Sequence, residues 1–258
     1  MNKPIYRYLA DKKWKEYNYK LIVQRIKQLA VVPDVLPQFD PTADVRLSFR
    51  HRNVQPGEFV DSRVSEVPAR VQVQVFDKGE RLVTVVAVDS DVPVVDSDGF
   101  TSRCHYIAAN IPLSPTKTSI PLSTATDEQL VLPWLPPFAQ KGSPYHRYSV
   151  FILQQKPDQI LDIATLKTTY EKRDKFSMRA FVARSGLAPI GVGIFRCKWD
   201  EGTAGVMQRA DIPGADIEFR RKRVVAIKPK QKARGWEAKH KKEKYKPLGI
   251  RWSKISGM

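Results

Sequence analysis

The basic residues of this 258-residue chain are concentrated at its two ends, which confines a globular core to the middle of the sequence. Residues 1–27 carry 8 Lys/Arg and 2 acidic residues, a net charge of +6. Residues 28–219 carry 21 Lys/Arg and 23 acidic residues, a net charge of −2. Residues 220–258 carry 15 Lys/Arg and 2 acidic residues, a net charge of +13. Few aliphatic side chains follow Ile227, so we expect this last segment to lack structure on its own.

This division predicts a basic, partly helical N-terminal extension at residues 1–32, a domain at residues 33–219 and a basic C-terminal extension at residues 220–258. Each Lys or Arg that neutralises a phosphate releases counterions, so cationic ends are typical of domains anchored to a polyanion. Aromatic residues lie among the C-terminal cations, and such rings stack on unpaired bases. A targeting tail or a polybasic lipid-binding patch is the alternative. The pattern favours RNA as the partner.

The predicted RNA-binding residues are cations of the two extensions together with one aromatic residue. In the N-terminal extension they are Lys12, Lys13 and Lys15. In the C-terminal extension they are Arg220, Arg221, Lys222, Arg223, Lys228, Lys230, Lys232, Arg234, Trp236, Lys239, Lys241, Lys242, Lys244, Lys246 and Arg251.

Other classes of protein are excluded by hydropathy and cysteine content. The longest apolar runs, Leu82–Val88 and Leu187–Phe195, fall short of the roughly 20 residues of a membrane-spanning helix. Two isolated cysteines, Cys104 and Cys197, predict neither a disulfide scaffold nor a zinc site. We therefore expect no membrane span and no bound metal.

The central segment predicts a β-rich α+β fold. Apolar residues alternate with glutamines over residues 71–75, whereas Leu82–Val88 is apolar except for Thr84, as in a strand buried on both faces. Lys78 and Gly79 predict a turn that joins these two strands in a hairpin. Nineteen prolines and irregular strand spacing argue against a doubly wound sheet. Further strands are expected at residues 105–111, 148–154 and 190–199.

Two helices are predicted from periodicity and capping residues. Apolar residues spaced by three and four from Ile22 indicate a helix that ends before Pro33, because the residue before proline avoids the α conformation. A second helix is expected over residues 178–185. Ser177 would cap its start and Gly186 would end it.

Two carboxylates follow the buried strand and mark a candidate polar site. Asp89 and Asp91 are two residues apart, so in extended backbone their side chains project together. His105 and His146 each stand at the start of another predicted strand. These four residues could line a small polar pocket. On spacing alone, loop hydrogen bonds by the carboxylates and positions near the surface for the histidines are the favoured explanation of the pattern.

Four ordered blocks around these residues resemble the phosphatidylethanolamine-binding protein family. The resemblance implies a central β-sheet fold and a small anion pocket that accepts phosphate-like headgroups. Carried over to this sequence, the pocket residues are Asp89, Asp91, Pro93, His105, Pro137 and His146. The matching blocks are Asp89-Ser90-Asp91-Val92-Pro93, residues 105–111, Pro136-Pro137 and His146-Arg147-Tyr148.

The sequence departs from the family pattern at several positions next to the pocket. Ser90 stands between the aspartates where the family has proline, and Pro144 stands where a glycine is expected. Arg103 and Cys104 replace a usual Trp-His pair. No counterpart of the family's pocket-closing C-terminal helix is found. These departures put the pocket's affinity for an anion in question.

Three further segments, residues 29–37, 55–59 and 188–200, resemble a branch of the family found in the mitochondrial large ribosomal subunit, especially in fungi. That resemblance implies a structural constituent of the subunit in the mitochondrial matrix. Its partners would be rRNA and other mitochondrial ribosomal proteins, contacted mainly through the basic extensions. It implies no enzymatic activity, no cofactor and no small-molecule substrate.

The main alternative is a soluble regulator of the same family that binds a phosphorylated headgroup or a phosphopeptide in the anion pocket. A hydrolase is a more distant alternative, because paired acids can assist an attacking water. The sequence offers neither a nucleophile motif nor metal ligands in support of it.

Overall fold

The computed structural model describes residues 1–94, 99–220 and 233–243. Residues Met1–Arg220 form one compact unit. The strands are β1 (Asp44–Phe49), β2 (Arg52–Val54), β3 (Glu58–Phe59), β4 (Arg70–Gln74), β5 (Arg81–Val94), β6 (Gly99–Leu113), β7 (Ser119–Pro121), β8 (Leu130–Leu132), β9 (His146–Gln154) and β10 (Ala188–Cys197). The α-helices are α1 (Pro4–Glu16), α2 (Asn18–Gln28), α3 (Val31–Asp34), α4 (Ser62–Ser65), α5 (Ile163–Thr169), α6 (Met178–Ser185), α7 (Thr203–Arg209) and α8 (Gly235–Glu243).

The strands form two sheets. The smaller has the order β2-β1-β4-β7, and all its pairs are antiparallel. The larger has the order β3-β10-β9-β5-β6-β8, and only the edge pair of β10 with β3 is parallel. β5 therefore lies inside the larger sheet between β6 and β9.

Two hydrophobic cores lie on opposite faces of the larger sheet. The first fills the space between the sheets with side chains such as Phe49 and Val71 from one and Val85 and Tyr148 from the other. The sheets approach closely where Gly193 faces Leu47, since a Cβ on that glycine would lie 2.5 Å from the leucine side chain. The second core packs the other face of the larger sheet against side chains of α2 and α6.

This architecture confirms the predicted β-rich α+β class. The strands expected near residues 105, 148 and 190 are β6, β9 and β10. Helix α6 has the predicted bounds. The Ser177 side chain accepts the N–H of Ala180 at its start, and Gly186 ends it with φ at 61°.

The predicted hairpin between β4 and β5 is wrong, because the two strands belong to different sheets. β4 buries alternate residues and pairs with β1 and β7. β5 is buried continuously from Val83 to Asp89 and needs a neighbouring strand on each side within the larger sheet. The two strands have different burial patterns because they belong to different sheets. The Lys78-Gly79 turn therefore connects two sheets and not two paired strands.

The N-terminal helices pack on the body. Trp14 of α1 is buried against Phe76, with ring centroids 5.1 Å apart. Ile22 and Ile26 of α2 belong to the second core. The division at residue 32 stays a prediction about domain organisation, but the helical segment before it contributes to the core.

The C-terminal segment from Arg221 forms a second unit, of which residues 233–243 are described. The expectation that the extension lacks structure on its own is wrong for Gly235–Glu243, which form helix α8. Ala, Lys and Glu favour helix, and the rings of Trp236 and His240 meet one turn apart at 4.9 Å. Within the described residues, no helix of the chain has both the length and the apolar character of a membrane span.

Candidate functional site

The candidate site lies where β5, β6 and β9 run side by side. β5 continues to Val94 rather than ending at Val88, and its register against β6 shifts between Asp89 and Val92. Asp89 stands opposite Tyr148 of β9 and opposite Arg103 of β6. The bulged stretch of β5 therefore carries its carboxylates into the middle of the sheet.

Asp89 and His146 form a buried hydrogen-bonded pair. His146 Nδ1 lies 2.7 Å from Asp89 Oδ2, and both residues are 2% exposed. Burial acts to raise the pKa of the Asp89 carboxyl. The hydrogen bond and positive charge of His146 outweigh burial, so the pKa is lowered. The aspartate is therefore held as a carboxylate inside the protein.

Asp91 has a different partner. Its two carboxylate oxygens accept Arg147 Nε at 2.8 Å and Arg147 Nη2 at 2.7 Å. Its own backbone N–H donates to Asp89 Oδ1 at 2.9 Å. The register shift breaks the alternation expected of a regular strand, so the two carboxylates do not share one space as the sequence spacing predicted.

Arg147 also connects the site to the N-terminal segment. Its Nη1 donates to the Leu29 carbonyl at 2.6 Å and to Asp34 at 3.0 Å. The adjacent carboxylates raise the pKa of its guanidinium further, with Asp91 as the largest cause. One arginine thus neutralises Asp91 and holds the chain beyond α2 against the sheet.

His105 is fully buried on β6 and stays neutral. Its Nδ1 lies 2.9 Å from the Leu135 carbonyl, which can only accept, so Nδ1 carries the proton. Burial lowers the His105 pKa to about 4, with smaller contributions from Arg103 and Arg173. The Asp89 charge and the Leu135 hydrogen bond act in the opposite direction.

The two imidazoles each retain one unused nitrogen. Among the described residues, neither His105 Nε2 nor His146 Nε2 has a hydrogen-bond partner, and both atoms are buried. Tyr148 contacts both rings, with centroids 5.0 Å from His105 and 6.5 Å from His146. The sheet therefore does bring together the two histidines and one of the two aspartates.

The segment after Pro137 closes this cluster. Tyr148 Oη donates to the Phe138 carbonyl at 2.8 Å and accepts the Phe138 N–H at 3.0 Å. Phe138 and Pro137 are buried, and the Phe138 ring lies 6.2 Å from His105. Pro93 lies half-buried in β5, opposite Phe100 of β6. The site in this conformation is sealed and its charges are paired within the protein.

The chemistry available at this cluster is narrow. Across the described part of the chain, no group of three or more His, Cys, Asp or Glu side chains is arranged to hold a metal ion. Burial raises the pKa of the Cys104 thiol to about 12, so it is not a thiolate nucleophile near neutral pH. An anion could reach the unused nitrogens of the two histidines only after the cluster opened, because both atoms are buried.

Arg147 and Tyr148 carry roles that the sequence reasoning did not assign to them. Both belong to the His146-Arg147-Tyr148 block, in which only the histidine is a predicted pocket residue. The sequence signal for these roles was the motif itself. Consecutive residues of a strand point to opposite sides of the sheet, so neighbours in the motif can belong to two different hydrogen-bond networks.

The predicted RNA-binding residues are described only in part. Lys12, Lys13 and Lys15 are exposed on α1, and Lys15 pairs with Asp11 at 2.7 Å. Arg220 pairs with Glu218 at 3.0 Å. Arg234, just before α8, and Trp236, Lys239 and Lys241 within it are exposed, and α8 also includes Lys242. Arg221, Lys222, Arg223, Lys228, Lys230, Lys232, Lys244, Lys246 and Arg251 lie outside the described residues.

The family model for phosphatidylethanolamine-binding proteins matches residues 48–189, more than half of the chain. A structure of the phosphatidylethanolamine-binding protein from Plasmodium vivax is similar with a TM-score of 0.56 and 19% identity. That alignment covers 69% of this chain and 97% of the Plasmodium chain, and it supports the fold.

Two curated proteins are similar to this chain in sequence. Large ribosomal subunit protein mL38 of Schizosaccharomyces pombe is 26% identical over 80% of this chain, and the alignment spans 66% of that protein's length. Protein TERMINAL FLOWER 1 of Arabidopsis thaliana is 28% identical over 65% of this chain and 86% of its own length.

Proposed function

This chain belongs to the phosphatidylethanolamine-binding protein family, and we propose that its domain serves as a structural constituent of the large ribosomal subunit in the mitochondrial matrix. The observation that carries this proposal is the similarity to a large ribosomal subunit protein over 80% of the chain. The basic extensions bind rRNA, and neighbouring ribosomal proteins contact the body. The role is architectural, not enzymatic, and it requires no cofactor and no small-molecule substrate.

The geometry of the candidate site supports an architectural role. Asp89 is paired with His146, Asp91 is paired with Arg147, and Tyr148 is hydrogen-bonded to the segment that closes the cluster. Such a network fixes β5, β9 and the segment after Pro137 relative to one another. A rigid body of this kind suits an assembly component better than a site that must open for a ligand.

The charge distribution supports the proposed partner. The segment after residue 219 holds 15 Lys/Arg against 2 acidic residues, whereas residues 28–219 are close to neutral. A freely diffusing phosphate-binding module does not require a strongly basic C-terminal segment. Embedding it in rRNA would neutralise the cations and release counterions.

The test is sedimentation of the native protein in a mitochondrial extract. We expect comigration with large ribosomal subunits at low salt and release at high salt, because the contacts are largely to phosphate. A protein that sediments free of ribosomal particles at all salt concentrations would overturn the proposal.

One observation favours the regulator as a second candidate. The unused Nε2 atoms of His105 and His146 are the kind of polar atoms that a bound phosphate group could engage once the cluster opened. Saturable calorimetric binding of phosphoethanolamine, lost in His146→Ala, would support this candidate. We expect no saturable binding, because the cluster is closed.

A further inference from the structure

Four side chains at one edge of the larger sheet form an exposed patch outside the candidate site. This patch consists of Phe59 from the edge strand β3, Tyr145 just before β9, Arg196 near the end of β10 and Lys198 just after it. The Phe59 and Tyr145 rings meet edge to face at 5.9 Å. They are 40% and 43% exposed. We call these residues the edge patch.

The cations of the edge patch lie over its rings. The Arg196 guanidinium carbon is 4.0 Å from the Phe59 centroid and 5.2 Å from the Tyr145 centroid. Lys198 Nζ is 5.7 Å from the Phe59 centroid. Arg196 Nε donates to the Gly57 carbonyl at 2.7 Å, which fixes the plane of the guanidinium. The patch is therefore held in place before any partner arrives.

The positive charge of the edge patch has no counterion in the described part of the chain. There, Arg196 and Lys198 form no ion pair, and the Nη atoms of Arg196 donate no hydrogen bond. The nearest acid along β3, Glu58, is paired with Arg52 instead. An ordered arginine with unused N–H groups can donate hydrogen bonds to a phosphate oxygen.

A second cation–ring pair lies at Trp199, directly after Lys198 in the chain, although its lysine, Lys141, also pairs with Glu218 at 3.5 Å. Lys141 Nζ lies 5.5 Å from the centroid of Trp199, whose side chain is 36% exposed. Exposed rings beside cations match what single-stranded nucleic acid requires, since bases stack on rings and guanidinium planes while cations contact the backbone.

We propose that the edge patch binds an unpaired nucleotide of RNA, with the base stacked on Tyr145 or on the Arg196 guanidinium and the phosphate held by Arg196 and Lys198. This proposal rests on the proposed function and deepens it, because it adds an RNA contact on the near-neutral body. Sequence reasoning assigned the RNA contacts to the extensions alone. The only sequence signal was the spacing of Arg196 and Lys198, which places two cations on one face of a strand.

The experiment uses the full chain and a single-stranded RNA 12-mer that contains 4-thiouridine. After irradiation, crosslinked peptides are mapped by mass spectrometry. We expect crosslinks at Tyr145 in addition to those in the C-terminal extension. Arg196→Gln should lower the crosslink yield at Tyr145 roughly tenfold, as expected when one stacking partner and one phosphate ligand are removed, and leave the yield in the extension unchanged.

Phe100→Ala is the matched control, because Phe100 is an exposed aromatic residue (62%) that belongs to neither group. It should leave the crosslink yield at Tyr145 unchanged. Crosslinks confined to the extensions, or a Tyr145 yield that Arg196→Gln does not change, would overturn the edge-patch proposal while leaving the ribosomal role intact. Failure of the ribosomal role itself would appear in the sedimentation experiment.

Discussion

Single residues of the candidate site show how burial decides protonation. Asp89 and His105 lie on adjacent strands and both are buried, yet the first is held as a charged carboxylate and the second as a neutral imidazole. The difference arises because burial outweighs the Asp89 charge and the Leu135 hydrogen bond at His105, whereas the contact with His146 outweighs burial at Asp89. A carbonyl accepts from a neutral imidazole without requiring a charge.

The protonation of His105 predicts a pH dependence of stability. Its ordinary pKa is 6.5, and the folded value is about 4. Between these two pH values the His105 imidazole is protonated in the unfolded chain and neutral in the folded chain. The free energy of unfolding should therefore fall as pH falls from 6.5 towards 4, by about 1.4 kcal/mol per pH unit for this group. Urea unfolding at a series of pH values measures it.

His105→Phe should reduce this pH slope by about one proton, even though losing the hydrogen bond to Leu135 lowers stability at every pH. His51→Gln is the control, because His51 is exposed. Asp89 adds a separate loss only at lower pH, since a lowered pKa gives stability that disappears as pH falls below its ordinary 3.8. An unchanged slope in His105→Phe would show that this imidazole is protonated in the folded protein.

At the scale of elements, the N-terminal helices are part of the core as well as a basic surface. α2 buries Ile22 and Ile26 against the larger sheet, while α1 exposes Ile5, Tyr8 and Leu9. The connection after α2 is held by Arg147 through the Leu29 carbonyl. The same segment that carries Lys12, Lys13 and Lys15 is thus anchored by apolar packing.

Two isoleucines separate these roles experimentally. Ile26 is 3% exposed and Ile5 is 54% exposed. Ile26→Ala should destabilise the protein by roughly 2 to 4 kcal/mol, because it removes buried methyl groups and leaves a cavity. Ile5→Ala should change stability by less than about 0.5 kcal/mol. Equal effects in chemical denaturation would mean that α2 does not pack on the sheet in solution.

At the scale of the whole molecule, charge and structure are divided along the chain. The first unit ends at Arg220, and the 38 residues after it hold 14 Lys/Arg against 2 acidic residues. Under the proposed function, such a distribution assigns most of the salt-dependent affinity for rRNA to the end of the chain. The edge patch would add a contact that depends on the base as well as on the phosphate.

Deleting residues 221–258 tests this division. Binding to a labelled transcript of mitochondrial large-subunit rRNA is followed by fluorescence anisotropy over a series of KCl concentrations. Affinity should fall, and the slope of log K against log salt should decrease by about 0.7 to 0.9 for each phosphate that the shortened chain no longer neutralises. Arg46→Gln is the control, since Arg46 is exposed and paired with Asp44. If the deletion leaves affinity and slope unchanged, the C-terminal extension is not the anchor.

Local sequence signals determined the fold class, the approximate strand positions and the capping of α6. A continuous apolar run indicates a buried strand, and a serine and a glycine at fixed positions delimit a helix, so these features depend on neighbours in the sequence. The family blocks likewise pointed to Asp89, His105 and His146 as one cluster.

Only the tertiary structure decided which partner each side chain has. Asp89 meets His146 and Asp91 meets Arg147 across 56 or 57 residues of sequence, and a register shift in β5 sets the choice. The assignment of β4 and β5 to different sheets and the assembly of the edge patch also require contacts between distant segments. Sequence spacing fixes the direction of a side chain within its own strand. Which group that side chain contacts depends on how the strands pair and on their register. Pairing and register are set by the burial of all the strands together.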